Sequence, residues 1–323
     1  MVKVIVTGAS GLLGRAVLAR CKAEGFEGLA FSRASGDTER LDLTDTAATE
    51  ALVRAFAPHA IIHTAAERRP DVVENDPQAS HALNVDVPAH LARLCASLCD
   101  PVPVLINIST DYVFDGTSPP YSVRDAPHPL NAYGQSKLDG EHAVHTHGRP
   151  GRATSLRVPV LYGRTAPISQ HDESAVNVLL DAIRPATGAE KKKKKMDAYA
   201  IRYPTNVEDV ARVLADLVKH STSTPSSPSS APPALPPLLH FSAAEAMTKY
   251  DMALTFARLT TELGGQAETA HLEPEYEVDP NAATSRPHHC QLDVSELAKL
   301  GISTDCIPFE QWWRPYLSDL LNG

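Results

Sequence analysis

Apolar and polar positions alternate along this chain with two distinct periods. Short β-branched or aliphatic runs recur at Val2 to Val6, Gly28 to Arg33, Ala60 to His63 and Val104 to Ile108, each reading as a strand buried on both faces. Between them, apolar residues three or four apart predict helices over Leu12 to Glu24, up to Ala57 from a cap at Thr44 or Asp45, and from about Pro77 to Leu98. Strands alternating with helices predict an α/β fold built on a doubly wound parallel (Rossmann) sheet.

The second half is less regular. Pro129 to Lys137 opens another helix, Arg157 to Gly163 reads as strand and bend, and Glu173 to Arg184 as a helix. Arg202 to Ala211 starts a helix that returns to the first lobe, Met247 to Leu263 is an amphipathic helix, and Phe309 to Leu321 closes the chain with Trp312 and Trp313. The division this predicts is a dinucleotide-binding domain over 1–165, to which 200–220 and part of 235–260 return, and a smaller interleaved α/β substrate lobe over 166–323. Two insertions, 186–196 and 221–237, are expected to be disordered. Lys191 to Lys195 is a five-lysine run, read either as a solvated loop or as a contact for an acidic partner or a substrate phosphate. Ser221 to Pro237 is almost wholly Ser, Thr, Pro and Ala, a composition that buries too little apolar surface to order itself.

Candidate chemistry begins where the first strand breaks into glycines at 8, 11 and 14. Gly8 permits a tight turn, Gly11 lets the backbone approach a pyrophosphate, and Gly14 lets the helix lie close on the strand. Phosphates then meet unpaired N–H groups at the helix N-terminus, with Ser10 and Leu12 beside them. After the second strand, Ser32 and Arg33 could hold a 2′-phosphate, which favours NADP(H); an isolated arginine there also reads as an ordinary solvated side chain. Asp42 and Leu43 lie beside the expected adenine site, and small Ala65 and Ala66 end the third strand where a cofactor crosses the sheet edge. His63 reads as a packed strand residue.

A second constellation is Thr110, Tyr133 and Lys137. Tyr133 and Lys137 are four apart and share a helix face that can point toward the strand end carrying Thr110. An ammonium beside a phenol is expected to lower the tyrosine pKa toward working pH, giving a proton donor for a carbonyl that accepts hydride. Val158 and Pro159 follow as backbone against the nicotinamide. Arg68, Arg69, Asp111, Arg202 and Arg286 are the candidate substrate contacts, Arg68 and Arg69 as a bidentate diphosphate grip or equally as a surface pair.

Composition narrows the function classes. The chain has 323 residues, 43% of them apolar, enough for a large core. Its formal net charge of −9 argues against nucleic acid as a partner, because phosphate contacts need a basic face. The five cysteines (Cys21, Cys95, Cys99, Cys290, Cys306) are scattered, which suits a reducing compartment, and adjacent His288 and His289 lack the spacing of metal ligands. Met1 leads straight into the first strand and no long apolar stretch follows, so a cytoplasmic protein without signal peptide or membrane span is expected.

The glycine spacing, with Ser109-Thr-Asp-Tyr-Val-Phe-Asp-Gly116 and Pro129-Leu-Asn-Ala-Tyr-Gly-Gln-Ser-Lys137, resembles the extended short-chain dehydrogenase/reductases of the dTDP-4-dehydrorhamnose reductase branch. His63 to Asn75, Lys137 to Glu141, Glu173 to Val176 and Met247 to Tyr250 look still more like the regulatory β subunits of methionine adenosyltransferase. The resemblance covers nearly the whole chain apart from the lysine run and the Ser/Pro insertion. It implies NADP(H) at Gly8, Gly11, Gly14, Arg33 and Lys137, and a reductase triad at Thr110, Tyr133 and Lys137. Two functions follow from it. One is a regulatory subunit that docks on the methionine adenosyltransferase catalytic subunit in S-adenosylmethionine synthesis. The other is an NADPH-dependent reductase of a nucleotide-linked 4-keto-6-deoxy sugar. Retention of the triad does not choose between them, and Glu67-Arg68-Arg69 departs from what the sugar reductases carry beside the nicotinamide.

Overall fold

Val4 to Val6, Ala60 to Ile62 and Val104 to Ile106 expose almost nothing on either face. Strands without a polar side need cover above and below. A computed structural model, which describes residues 1–32, 39–98, 101–185, 193–223, 232–277 and 285–322, places them at the centre of a seven-stranded parallel sheet.

The strands in chain order are β1 (Lys3–Thr7), β2 (Glu27–Ser32), β3 (Glu39–Arg40), β4 (Ala60–His63), β5 (Val104–Thr110), β6 (Ala153–Val158), β7 (Leu161–Tyr162), β8 (Lys194–Asp197), β9 (Thr205–Asn206), β10 (Leu238–His240) and β11 (Leu272–Glu275). The main sheet has the order β10-β6-β5-β4-β1-β2-β3, while β7 pairs with β9 and β8 with β11. The longer helices are α1 (Leu12–Ala23), α2 (Thr46–Phe56), then, past two short turns α3 (Pro70–Asn75) and α4 (Pro77–His81), α5 (Val87–Ser97) and α6 (Ala132–His147). Short α7 (Leu179–Ala182) precedes α8 (Val207–Thr222) and α9 (Lys249–Glu262), with short α10 (Ser295–Lys299) before the closing α11 (Phe309–Asn322).

Alternate strand residues feed two cores. Val4, Val6, Ile62 and Ile106 pack with α1 and α8, whereas Ile5, Ile61 and Leu105 pack with α2, α5 and α6. A third core, in the later half, gathers Tyr162, Phe256, Phe309, Trp312, Trp313 and Tyr316, with Trp312 and Tyr316 rings stacked at 5.1 Å.

Several expectations change. The helix anticipated from Pro77 to Leu98 is broken by a π-helical turn over Ala82–Asp86. The Asn84 side chain accepts from Glu67 N (2.9 Å) and donates to Glu67 O (3.0 Å), and α6 comes so near that a Cβ on Gly140 would lie 2.3 Å from Asn84 O. The helix expected over Glu173 to Arg184 shrinks to α7, because Ser174 Oγ binds Leu161 O and accepts from the N–H groups of Val176 and Asn177. Of the lysine run, Lys194 and Lys195 are strand, not solvated loop: Glu273 pairs with Lys193 and Glu275 with Lys195 (2.8 Å) across β11. Ser221 and Thr222 complete α8 and Leu235 is buried, so the expected 221–237 insertion is ordered at both ends; 224–231 and Lys191 and Lys192 lie outside the described residues.

One buried ion pair ties the sheet to α6. Arg157 on β6 and Glu141 on α6, each with a side chain 2% exposed, meet through two hydrogen bonds of 2.8 and 2.6 Å. Arg157 also reaches His240 on β10 (3.3 Å) and lies over the Phe114 ring. Glu141→Gln, which strands the guanidinium, is expected to cost about 3–5 kcal/mol, read as a lower urea midpoint, whereas Glu141→Leu with Arg157→Met recovers most of that loss.

Candidate functional site

Past Thr7 the chain turns at Gly8, whose φ of +66° suits glycine. A Cβ at Gly8 would lie 2.7 Å from Ala65 N, and one at Gly14 only 2.2 Å from Gly8 O, so both positions exclude a side chain. At Gly11 the nearest atom would stand at 3.3 Å, a milder constraint. Gly11 caps α1 without any side-chain hydrogen bond, and the first turn carries no acid. The opening N–H groups of α1 therefore keep their affinity for an anion.

A cavity of about 470 Å³ runs from this turn along the carboxyl ends of the strands. Phe31, Ser32, Leu41 and Leu43 line it beside β2 and β3, and Thr64, Ala65 and Ala66 beside β4. Ile108 to Tyr112 follow β5, and Val158 to Leu161 follow β6. From β2 to β6 is four interstrand steps, roughly 19 Å at about 4.8 Å each, which suits an extended dinucleotide.

Helix α6 begins at Asn131, whose Oδ1 accepts from Gly134 N at 2.8 Å. A Cβ on Gly134 would lie 2.3 Å from Tyr112 O, so the first turn of α6 sits directly against the end of β5. Tyr133 and Lys137 then reach the cavity with Thr110, and the Tyr112 and Tyr133 rings meet edge to face at 5.9 Å. The Tyr133 phenol is pushed up from its ordinary value, contrary to the sequence expectation. Burial outweighs the hydrogen bond with Thr110, so the phenol keeps its proton at neutral pH. Burial likewise lowers the Lys137 ammonium to about 8, with Glu141 opposing the shift. Buried Asp111 is raised to about 6 by desolvation, despite the charge of Arg202 and a hydrogen bond from Thr110 (3.2 Å). Arg202, itself buried, donates to Pro287 O (3.0 Å) and lies over the Tyr112 ring.

Most expected site residues meet in this one cavity: Gly8, Ser10, Gly11, Leu12, Gly14, Ser32, Leu43, Ala65, Ala66, Thr110, Asp111, Tyr133, Lys137, Val158, Pro159, Arg68, Arg202 and Arg286. Asp42 and Arg69 are not part of its wall. Asp42 Oδ1 accepts from Thr44 N and Oγ1, a local turn before α2, and Arg69 turns outward to pair with Glu67 (3.1 Å). Arg33 lies outside the described residues. His63 is packed, its Nδ1 2.7 Å from Thr7 Oγ1.

Sequence reasoning passed over Tyr112, Glu173, Lys249 and Met252, all of which line the cavity. Lys249 opens α9 behind a capping box of Thr248 and Asp251, a signal present in the sequence. Glu173 had no such signal. It lines the wall beside Ser174 and pairs bidentately with Arg15 on α1.

The profile of the RmlD substrate binding domain matches residues 2–322. The chain belongs to this RmlD family. A Xenopus tropicalis protein named methionine adenosyltransferase 2 subunit beta is 42% identical, over 98% of this chain and 89% of its own length. Among solved structures, a Clostridium acetobutylicum dTDP-4-dehydrorhamnose reductase superposes with a TM-score of 0.77 at 24% identity, covering 99% of this RmlD-family chain and 100% of that one. A Bacillus anthracis dTDP-4-dehydrorhamnose reductase in complex with NADP gives 0.75 at 22%, covering 100% and 99%. These two likenesses establish the shared fold. Among the described residues, no helix of this RmlD-family protein is long and apolar enough to cross a membrane.

The Lys137 value is directly measurable. In 13Cε-lysine NMR spectra, the resonance lost in Lys137→Met should titrate near pH 8, cationic below and neutral above; titration above pH 10 would contradict the burial argument.

Proposed function

We propose that this chain binds NADP(H) along the carboxyl ends of its sheet and acts as the regulatory β subunit of a methionine adenosyltransferase. The observation that carries the reading is similarity along the whole length to a protein of that name, at 42% identity. The cleft fits the cofactor: a Cβ at Gly8 or Gly14 would fill the cradle, and the uncapped turn of α1 supplies donors for a pyrophosphate. A solved structure of the same fold holds NADP, which supports that choice of nucleotide.

On this reading Gly8, Ser10, Gly11, Leu12 and Gly14 hold the pyrophosphate, and Ser32 and Leu43 flank the adenosine. Tyr133 and Lys137 hold the nicotinamide ribose, with Val158 and Pro159 behind the ring. Lys137 does so as a cation up to about pH 8. A regulatory subunit needs the cleft only for binding. The expected result is that the purified chain co-elutes with the catalytic subunit from its own source and changes that enzyme's kinetics for substrate or product. Failure of both would remove the reading.

A second reading is favoured by one observation, the intact Thr110, Tyr133 and Lys137 at the cavity wall. NADPH, when bound, supplies hydride. Tyr133 holds a proton on its phenolic oxygen at neutral pH, and Thr110 adjoins it, as reduction of a keto sugar requires. Arg68, Arg202 and Arg286, which line the cavity, and Asp111 would then face the nucleotide sugar. If the chain is a reductase, Tyr133→Phe lowers turnover of a dTDP-4-keto-6-deoxy sugar by roughly 100-fold or more while NADPH still binds; no turnover by the unmodified protein removes this reading.

A further inference from the structure

The segment from Arg164 to Glu173 meets the glycine turn through Arg15, which contacts Ser10, Arg164 and Glu173. Residues on both sides of it, and Thr165 within it, are fastened by hydrogen bonds. Asn177 Nδ2 donates to Gly163 O (2.9 Å), Ser174 Oγ to Leu161 O (2.8 Å), and Thr165 Oγ1 lies 3.0 Å from the Tyr316 hydroxyl. Between those anchors, Ile168, Ser169, Gln170 and Asp172 are exposed.

Arg15 and Arg68 hold the segment's two ends. Arg15, on the first turn of α1, meets Glu173 through two bonds of 2.5 and 3.0 Å and reaches Arg164 O at 3.5 Å. Arg68 reaches Asp172 O at 3.4 Å. Arg15 also donates to Ser10 O inside the glycine turn, so the ion pair stands on the rim of the cradle. Glu173 to Val176 form part of the cavity wall.

The side chains of the ion pair are 28% and 18% exposed and meet through two parallel bonds. It also sets a carboxylate beside a phosphate cradle, where it repels the ligand unless Arg15 neutralises it. The pair joins α1 to the cavity wall at Glu173.

We propose that the Arg15 and Glu173 ion pair is a latch that closes the 164–173 strap over a bound cofactor and sets its residence time. The inference rests on the NADP(H) reading above. It separates rates from affinity: opening the latch speeds arrival and departure together, as for any gate that both must pass.

Stopped-flow fluorescence of NADPH, with excess NADP⁺ to follow release, tests it on the intact chain. Glu173→Gln is expected to raise the association and release rates roughly five- to tenfold while Kd moves less than about threefold, and Arg15→Met, which leaves the carboxylate unneutralised, to raise the release rate similarly and weaken Kd as well. The double variant should release no faster than either single one, since both remove the same contact. A Glu173→Gln release rate within about twofold of the unmodified protein, a change confined to association, or additive effects in the double variant would each overturn the latch. Failure of the unmodified chain to bind NADPH would overturn the cofactor reading and the latch with it. Normal binding with unchanged release removes the latch alone.

Discussion

The site depends on how closely α1 approaches the turn after β1. With no side chain at Gly14, the helix begins against the carbonyl of Gly8, where a Cβ would stand only 2.2 Å away. Glycine at the cap position, Gly11, leaves the first N–H groups of α1 without a side-chain cap, and Gly11 and Leu12 line the cavity. A parallel sheet gathers every strand's carboxyl end on the same side, so one close helix start is enough to create an anion site in line with β4, β5 and β6. The same device recurs on α6, where Gly134 and Gly140 let the helix lie against Tyr112 and Asn84. Both walls of the cleft are thus positioned by backbone meeting backbone, which admits little adjustment.

Burial, more than pairwise charge, governs the electrostatics of the cleft. Tyr133, Lys137 and Asp111 all shift toward their neutral forms, with desolvation the first cause in each. Neighbouring charges moderate those shifts without reversing them. The buried Arg157 and Glu141 side chains satisfy each other through two hydrogen bonds and lock α6 onto β6.

This arrangement serves a binder as well as a reductase. Binding a nucleotide calls on the glycine cradle and a ribose grip, and a reductase calls on these and a proton held at Tyr133. A separate aromatic core gathers around Trp313 and Phe256, and Arg202, Lys249 and Glu173 line the cavity. Family membership sets this architecture, while function depends on what the second lobe and the outer surface engage.

The alternation of strands and helices, the glycine turn and the Tyr133 and Lys137 pair were legible because each rests on local spacing. Apolar period sets which residues face the core, and a four-residue step sets which share a helix face. The break in the helix after His81 was not legible, because it depends on Asn84 meeting Glu67 and on the approach of Gly140. Lys194 and Lys195 read as a loop because the glutamates that neutralise two neighbouring charges lie about eighty residues away on β11. Asp42 and Arg69 were plausible ligand contacts until local turn and ion-pair partners claimed them. The amino-acid sequence by itself determined the doubly wound sheet and the cradle, since turns, caps and periodicity are properties of neighbouring residues. Only the tertiary structure decided that Glu173 meets Arg15, that Lys249 and Arg202 share the cleft and that Tyr133 keeps its proton, because distance and desolvation exist only once remote segments pack together.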